Sequence, residues 1–179
     1  LLETIATSLD GRGIPYMVIG GQAVLVHGEP RMTKDIDVTL GVSLDSLENI
    51  LDMARALGWE ILPEDPYAFV KRTMVLPCRE SPSGIRIDLI FSFTPYEREA
   101  IQRAVVKRVG STDVKFASAE DLIIHKIFAG RPRDLDDART VLLKNLPIDR
   151  EYIRSRLEQL ASAAHHDVMG MFEEILSSV

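Results

Sequence analysis

Two aspartates of this chain, Asp35 and Asp37, stand two residues apart at the start of a short apolar segment that ends at Leu40. Successive side chains of a strand point to opposite faces, so both carboxylates are predicted to share one face while Ile36 lies on the other. Two neighbouring carboxylates repel each other, and a cation between them removes that repulsion. A hard ion that prefers oxygen ligands, Mg²⁺ or Mn²⁺, suits such a pair best.

A double glycine precedes the two acids and follows the apolar run 14–19. Gly20 and Gly21 carry no Cβ, so a ligand can approach the backbone closely at these positions. A helix is predicted to begin near Gln22, and the free N–H groups of its first turn suit a phosphate. A phosphate site beside a divalent-metal pair indicates phosphoryl or nucleotidyl transfer.

A third carboxylate lies in the later segment 85–91, where apolar and polar residues alternate. The apolar residues at the odd positions are predicted to share one face, which leaves Arg86 and Asp88 on the other. If this strand lies beside the strand of Asp35 and Asp37, Asp88 joins them as a third acid.

The rest of the sequence predicts the elements that would position these residues. Predicted strands cover residues 14–19, 35–40, 59–62, 69–76, 85–91, 104–109 and 114–116, and predicted helices cover 1–10, 22–27, 43–57, 95–102, 118–129 and 134–143, with two more beyond residue 150. Ser43, Ser118 and Asp134 are the predicted helix caps. We therefore predict an α+β fold in which residues 1–116 form a mixed β-sheet flanked by helices. Residues 117–179 are predicted to form a helical C-terminal part packed on that core.

Composition argues against several other classes of protein. The net charge over 179 residues is −6, which disfavours wrapping nucleic acid by bulk attraction, although a local basic patch stays open. Cys78 is the only cysteine, so no intrachain disulfide can form and a cytoplasmic location is expected. No apolar run approaches the ~18 residues that span a membrane, so no membrane association is expected. The Gly-Lys dipeptide of a P-loop is absent from the sequence.

The set formed by Gly20-Gly21, Asp35-x-Asp37 and Asp88 resembles the nucleotidyltransferase superfamily that includes DNA polymerase beta. The finer pattern Gly-Gly-x-Ala-x-x-x-His-Gly-x-x-Arg-x-Thr-x-Asp-Ile-Asp is most similar to the AbiEii-like toxin nucleotidyltransferases and their uncharacterised relatives. Those proteins also tend to carry a lysine in a downstream helix and an Arg-x-Lys/Arg-Asp motif. The resemblance implies the nucleotidyltransferase fold, an NTP substrate and a Mg²⁺ or Mn²⁺ cofactor.

The family's mechanism implies roles for particular residues of this chain. Asp35 and Asp37 would bind the metal that accompanies the NTP, while Asp88 would hold a second metal and take the proton from the acceptor hydroxyl. These three aspartates are therefore the predicted catalytic and metal-binding residues. The predicted nucleotide-binding residues are the glycines and the polar side chains near them or in the downstream motif: Gly20, Gly21, Gln22, Arg31, Lys34, Lys126, Arg133 and Asp134. Gln22 stands where many relatives have serine, so a phosphate contact would fall to backbone N–H groups or to the Gln22 amide.

Simpler interpretations of the weaker candidates stay open at this stage. Lys126 could lie along an apolar helix with its ammonium in solvent, and Arg133 with Asp134 could be a helix cap and an ion pair. Arg31 and Lys34 could belong to a solvated loop. Structural or surface roles are expected for the remaining candidates: His27, Cys78, Asp136, Asp137 and the run His165-His166-Asp167.

The resulting functional prediction is the metal-dependent transfer of an NMP from an NTP to a hydroxyl acceptor. A tRNA 3′ end, a protein side chain and a small molecule are all open as acceptors. The resemblance implies a toxin of a toxin–antitoxin system, with an antitoxin protein as partner. The alternative is a non-catalytic nucleotide-binding or antitoxin-type member of the same fold.

Overall fold

The computed structural model describes residues 1–92 and 94–178, and in that part of the chain seven strands form one mixed sheet. The strands are β1 (Tyr16–Ile19), β2 (Asp35–Leu40), β3 (Glu60–Ile61), β4 (Val75–Arg79), β5 (Arg86–Phe91), β6 (Val105–Val109) and β7 (Thr112–Phe116). The α-helices are α1 (Leu2–Gly11), α2 (Gly20–His27), α3 (Leu47–Ala56), α4 (Pro66–Thr73), α5 (Pro95–Gln102), α6 (Ala119–Ala129), α7 (Pro132–Lys144), α8 (Arg150–Leu160) and α9 (Val168–Ser177). The strand order is β3-β4-β5-β2-β1-β7-β6. The predicted α+β fold is confirmed.

The centre of the sheet brings the three aspartates together. β2 and β5 are parallel neighbours, and their register places Asp37 opposite Asp88 and Asp35 opposite Arg86. β1 runs antiparallel to β2 on its other side, with Ile19 opposite Asp37. The turn from β1 into α2 therefore lies next to the acids.

The predicted alternation holds along both strands. The side chains facing away from the acids are fully or almost fully buried in the hydrophobic core: Ile36, Val38, Leu40, Ile87, Leu89 and Phe91. Their burial fixes which face of the sheet the carboxylates occupy, because a slip by one residue would place apolar side chains on the other face.

Helix α6 is the central element of the C-terminal part, and it is buried on most of its sides. It packs against α7, α8 and α9 as well as against α2 of the N-terminal part. One continuous hydrophobic core runs through the sheet and these helices. The division of the chain after residue 116 therefore stays a prediction. None of the helices among the described residues is long and apolar enough to cross a membrane.

Two local predictions are wrong. Residues 69–76 were expected to be extended, but α4 occupies most of this range and β4 begins only at Val75. The aromatic and β-branched residues favoured a strand, whereas Asp65 accepts a hydrogen bond from the N–H of Ala68 and Pro66 occupies the first helical position. Asp134 does not cap α7, because the helix already begins at Pro132 and Asp134 lies inside its first turn.

Candidate active site

A cleft of about 450 Å³ opens where β1 ends and β2 begins. Most of the predicted site residues form its walls, which consist of Gly20, Gly21, Arg31, Met32, Thr33, Lys34, Asp35, Asp37, Lys126, Arg131, Arg133 and Asp134. The walls thus combine two carboxylates from the centre of the sheet with cations from the 31–34 loop and from α6 and α7.

The double glycine is required by the close approach of the backbone to the cleft walls. Gly20 has a φ of +62°, and a Cβ there would lie 2.0 Å from Oδ2 of Asp37. A Cβ on Gly21 would lie 2.4 Å from Cγ2 of Thr33. Helix α2 begins at Gly20, two residues earlier than predicted, so the first N–H groups of this helix belong to residues that line the cleft.

The side chain of Asp37 lies where ionisation of its carboxyl group is unfavourable. Burial, followed by repulsion from Asp35 and from Asp88, raises the pKa of Asp37 to about 6, although Lys126 and Arg131 act in the opposite direction. The structure therefore concentrates more negative charge around Asp37 than its neighbouring cations balance. An added cation at this point would stabilise the ionised carboxylates.

Asp88 is not among the walls of the cleft, and it pairs with Arg86, two residues earlier on β5. Arg86 Nε donates to both carboxylate oxygens of Asp88, at 2.8 and 3.1 Å. Within residues 1–92 and 94–178, no three acidic, histidine or cysteine side chains are grouped closely enough to hold a metal ion as they stand. The donor set nevertheless fits an oxygen-preferring ion, because all three carboxylates lie on one face of adjacent strands. To bind that ion, Asp88 would have to give up its hydrogen bonds from Arg86.

The raised pKa of Asp37 predicts how the stability of the metal-free protein depends on pH. Between about pH 4 and pH 6 the folded chain retains a proton on Asp37 that the unfolded chain has already released. The free energy of unfolding should therefore receive a contribution that falls as the pH rises through this range. Asp37→Asn should remove that contribution, because an amide does not titrate.

Urea unfolding in a chelator-containing buffer, measured at several pH values between 4 and 7.5, tests this expectation. At pH 7 we expect Asp37→Asn to be more stable than the wild type by on the order of 1 kcal/mol, after allowance for solvent screening. Asp52→Asn is the matched control, since Asp52 is an exposed acid on α3. If Asp37→Asn followed the same pH profile as the wild type, burial and the neighbouring acids would not raise the pKa of Asp37.

Lys126 belongs to a buried network of charges that joins α6 to α7. Its Nζ atom lies 2.8 Å from a carboxylate oxygen of Asp134 and 2.8 Å from one of Asp137, and only 7% of its side chain is exposed. Arg131 Nε donates to Asp134 at 2.6 Å, and Arg31 donates two hydrogen bonds to Asp137, at 2.9 and 2.8 Å. Burial tends to raise the pKa of Asp137, but the hydrogen bonds from Arg31 and Lys126 lower it below its usual value.

This network excludes the simple interpretation of Lys126 as a surface lysine. Asp137, for which only a favourable position near the helix dipole was expected, instead pairs with two cations. Lys34 and Arg133 differ from the networked cations, because both line the cleft without an ion pair in the described part of the chain. They are therefore free to contact an anionic ligand.

A comparison with known protein families shows to which family this chain belongs. The family described as "Nucleotidyl transferase AbiEii toxin, Type IV TA system" matches residues 6–176, which is almost the whole chain. The chain belongs to this AbiEii family. The resemblance expected from the glycines and the aspartates is confirmed. No curated protein sequence matches the chain.

Solved structures share the fold of this AbiEii family member at low sequence identity. The solution structure of the antibiotic-resistance factor ANT(2'')-Ia has a TM-score of 0.62 at 16% identity, and the match covers 89% of this chain and 90% of that one. An antigenic nucleotidyltransferase-like protein from Paracoccidioides brasiliensis has a TM-score of 0.59 at 16% identity, covering 96% of this chain and 90% of that one. The lincosamide antibiotic adenylyltransferase LnuA, bound to lincomycin, has a TM-score of 0.53 at 13% identity, covering 76% and 91%. These similarities concern the fold.

Two residues of the AbiEii-type site have positions that the sequence did not predict. Gln22 is not part of the cleft wall, because its Nε2 atom donates to Oγ1 of Thr33 at 2.7 Å. Thr33, which does line the cleft, was missed as a candidate although it occupies the threonine position of the family pattern. Gln22 therefore fixes the orientation of Thr33, and its amide nitrogen already has a partner.

His27 and His166, which lie outside the cleft, each approach a backbone carbonyl oxygen. His27 Nε2 lies 2.8 Å from the carbonyl oxygen of Ala117, and His166 Nε2 lies 2.9 Å from that of Ile127. Cys78 is buried on β4, where burial raises the pKa of its thiol to about 12. Its thiol is therefore protonated and unreactive at neutral pH.

Proposed function

We propose that this chain transfers an NMP from an NTP to the hydroxyl group of an acceptor, with Mg²⁺ or Mn²⁺ as cofactor. The observation that supports this proposal is the register of β2 and β5. It places Asp35, Asp37 and Asp88 on one face of the sheet, beside a cleft whose other charged walls are mainly cationic. Anionic phosphates and a divalent ion together match that distribution of charge.

Each group of residues has a distinct part in this proposal. The free N–H groups at the start of α2, together with Lys34 and Arg133, would bind the triphosphate. Asp35 and Asp37 would hold the divalent ion, which when bound stabilises the charge that develops on the attacking and leaving oxygens. Asp88 would release Arg86 and take the proton of the acceptor hydroxyl. The pyrophosphate would then leave within the cationic cleft.

The charge network around Lys126 supports the same assignment of roles. Two acids, Asp134 and Asp137, are surrounded by three cations, Lys126, Arg31 and Arg131, so the network carries an excess of one positive charge. That excess lies in the wall of the cleft and would attract the triphosphate. We therefore keep Arg31, Lys126 and Asp134 as nucleotide-site residues, with Asp134 acting by orienting the cations.

The acceptor and the biological setting are also proposed. A tRNA 3′ end, a protein side chain and a small molecule remain candidates for the acceptor. As a member of a toxin family, the chain would act as the toxin of a toxin–antitoxin pair, with the antitoxin protein as its partner. The single cysteine among 179 residues favours the reducing cytoplasm.

Thermal unfolding in the presence of ligand tests nucleotide binding at the aspartates. At an NTP concentration of about 100 times the Kd, Mg²⁺ and NTP should stabilise the protein by about 2.7 kcal/mol, which corresponds to roughly 5–10 °C in Tm. The double variant Asp35→Ala/Asp37→Ala should show a much smaller shift. The exposed pair Asp45→Ala/Asp52→Ala is the matched control and should respond like the wild type.

Equal shifts in the wild type and in Asp35→Ala/Asp37→Ala would place the nucleotide elsewhere. Transfer itself is tested by incubating the protein with each labelled NTP, Mg²⁺, and total RNA or cell extract, and identifying the species that takes up label. A protein that binds NTP with Mg²⁺ but labels nothing in any extract would be the non-catalytic, nucleotide-binding alternative.

A further inference from the structure

A second cavity, of about 280 Å³, adjoins the cleft on the far side of Asp37. The two spaces share five wall residues, which are Gly20, Asp37, Lys126, Arg131 and Asp134. The remaining walls of the second cavity are Ile19, Ile90, Leu122, His125, Phe128 and Ala129, and all but His125 are apolar. We call this space the apolar cavity. A ligand that extends past Asp37 from the cleft would enter it.

Among the walls of the apolar cavity, His125 carries a side-chain atom that has no hydrogen-bond partner. It precedes Lys126 on α6, and its Nε2 atom is buried with no hydrogen-bond partner among the described residues. Buried polar atoms in folded proteins nearly always have a partner, so an orphan atom on a residue that lines a cavity points to a ligand or to water. Burial lowers the pKa of His125, which keeps the imidazole neutral at physiological pH. A neutral imidazole can pair with an uncharged donor or acceptor group.

A further orphan atom lies on the same face of the sheet. Four buried side-chain nitrogen or oxygen atoms in the described part of the chain have no partner, and Thr39 Oγ1 is among them. Thr39 lies opposite Ile90 in the register of β2 and β5. Because Thr39 follows Asp37 by two residues, strand alternation directs its hydroxyl to the face that carries the apolar cavity.

The positions of the two spaces restrict what can occupy each. The reacting α-phosphorus of an NTP must lie at Asp35 and Asp37, and the cationic cleft attracts the β- and γ-phosphates. The nucleoside must then extend in another direction from the same point. The acceptor hydroxyl has to reach Asp88, which is a wall residue of neither space. The apolar cavity meets this requirement for the nucleoside, because it adjoins the cleft at Asp37.

We propose that the apolar cavity binds the nucleobase of the NTP and that His125 selects among the four bases. This inference rests on the proposed nucleotidyl transfer and adds the residue that determines which NTP is used. A nucleobase has two apolar faces and a polar edge, which matches apolar walls, the aromatic ring of Phe128 and a few hydrogen-bonding groups. His125 Nε2 meets the polar edge and favours a base that offers the complementary group.

Calorimetric binding of the four NTPs and of inorganic tripolyphosphate, with Mg²⁺ and without acceptor, tests the proposal. We expect the wild type to prefer one NTP or one pair of NTPs by about 10-fold, the effect of one buried hydrogen bond. His125→Phe keeps a ring of similar size but has no ring nitrogen, so it should bind all four NTPs with similar affinity. Its affinity for tripolyphosphate should be unchanged. His165→Phe makes the same change at an exposed histidine and should keep the wild-type preference.

Two additional variants keep the test decisive if His125→Phe folds poorly. His125→Gln retains a hydrogen-bonding edge, and we expect it to shift the order of preference among NTPs. Phe128→Ala should weaken binding of every NTP and leave tripolyphosphate binding unchanged.

The inference is overturned if the wild type binds all four NTPs equally, or if His125→Phe keeps the wild-type preference. In the second case His125 pairs with water or with a small acceptor. Failure of the proposed function has a different signature, because incubation of the wild type with labelled NTP and extract would then label no species, whatever base preference calorimetry shows.

Discussion

Asp35→Asn and Asp37→Asn should each reduce nucleotide transfer to less than about 10% of the wild-type kcat while the chain remains folded. The amide has nearly the shape of the carboxylate, but it lacks the charge that holds a divalent ion. The structure supports intact folding, because the pKa of Asp37 is raised to about 6 by burial and by the neighbouring acids. Removing one of these charges relieves repulsion in the folded state.

Steady-state transfer of labelled nucleotide to the acceptor identified in extract measures the effect, and circular dichroism of each variant verifies the fold. Asp52→Asn, at an exposed acid on α3, is the matched control and should retain full activity. A retained kcat above about 10%, which corresponds to a loss of less than ~1.4 kcal/mol, would remove Asp35 or Asp37 from the metal site.

The faces of the strands could be predicted from the sequence, whereas their register could not. Alternation with a period of two is a local property, so it assigned Asp35, Asp37 and Asp88 each to the polar face of its own strand without knowledge of the sheet. The pairing of Asp37 with Asp88 joins strands about 50 residues apart in the chain, and nothing in either segment specifies a partner. The hydrophobic core restricts that register, because a slip by one residue would turn the apolar side chains of one strand to the other face.

The buried network around Lys126 shows a second limit of sequence reasoning. Asp134 and Asp137 are three residues apart, so a helix places them on the same side, but the sequence does not say what faces them. Helix α6 supplies Lys126 and the 31–34 loop supplies Arg31. These partners come from distant segments. The sequence alone therefore indicates only that an acid such as Asp137 is favourable near the N-terminus of α7. Only the packing of α6 against α7 distinguishes the two interpretations.

Gln22 illustrates that the sequence does not specify the direction of a flexible side chain. Its place after the double glycine suggested a phosphate contact, yet its side chain donates to Thr33. At the two glycines a Cβ would collide with Asp37 or Thr33, so the structure requires glycine there, while the close approach of a ligand stays a prediction. The direction of a flexible side chain such as that of Gln22 depends on partners elsewhere in the chain.

Asp88→Ala should keep most of the affinity for NTP but reduce transfer by at least about 10²-fold, the low end of what a positioned base contributes. Asp35 and Asp37 would still hold the nucleotide-bound ion in this variant, whereas the acceptor hydroxyl would lose the group that takes its proton. The ion pair between Arg86 and Asp88 offers an alternative, purely structural role for Asp88, and this variant tests it. If Asp88 served only as a partner of Arg86, losing this partly exposed ion pair would change the stability by about 1 kcal/mol and leave activity intact.

Asp113→Ala is the matched control for this variant. Asp113 also lies on a strand and accepts a hydrogen bond from an arginine, Arg108, at 3.0 Å, but it is on β7, outside the walls of the cleft. Removing its carboxylate should change neither the affinity for NTP nor the rate of transfer.

The NTP affinity and the single-turnover rate of Asp88→Ala, measured on the same preparation, separate the alternatives. A normal affinity with a slow bound-state reaction places Asp88 at the acceptor step, as proposed. A lost affinity with an unchanged rate of the bound complex would mean that Asp88 holds only the nucleotide-bound ion. If neither quantity changed, the register that places Asp88 opposite Asp37 would have no catalytic meaning, and the proposal of a three-carboxylate transferase would be wrong.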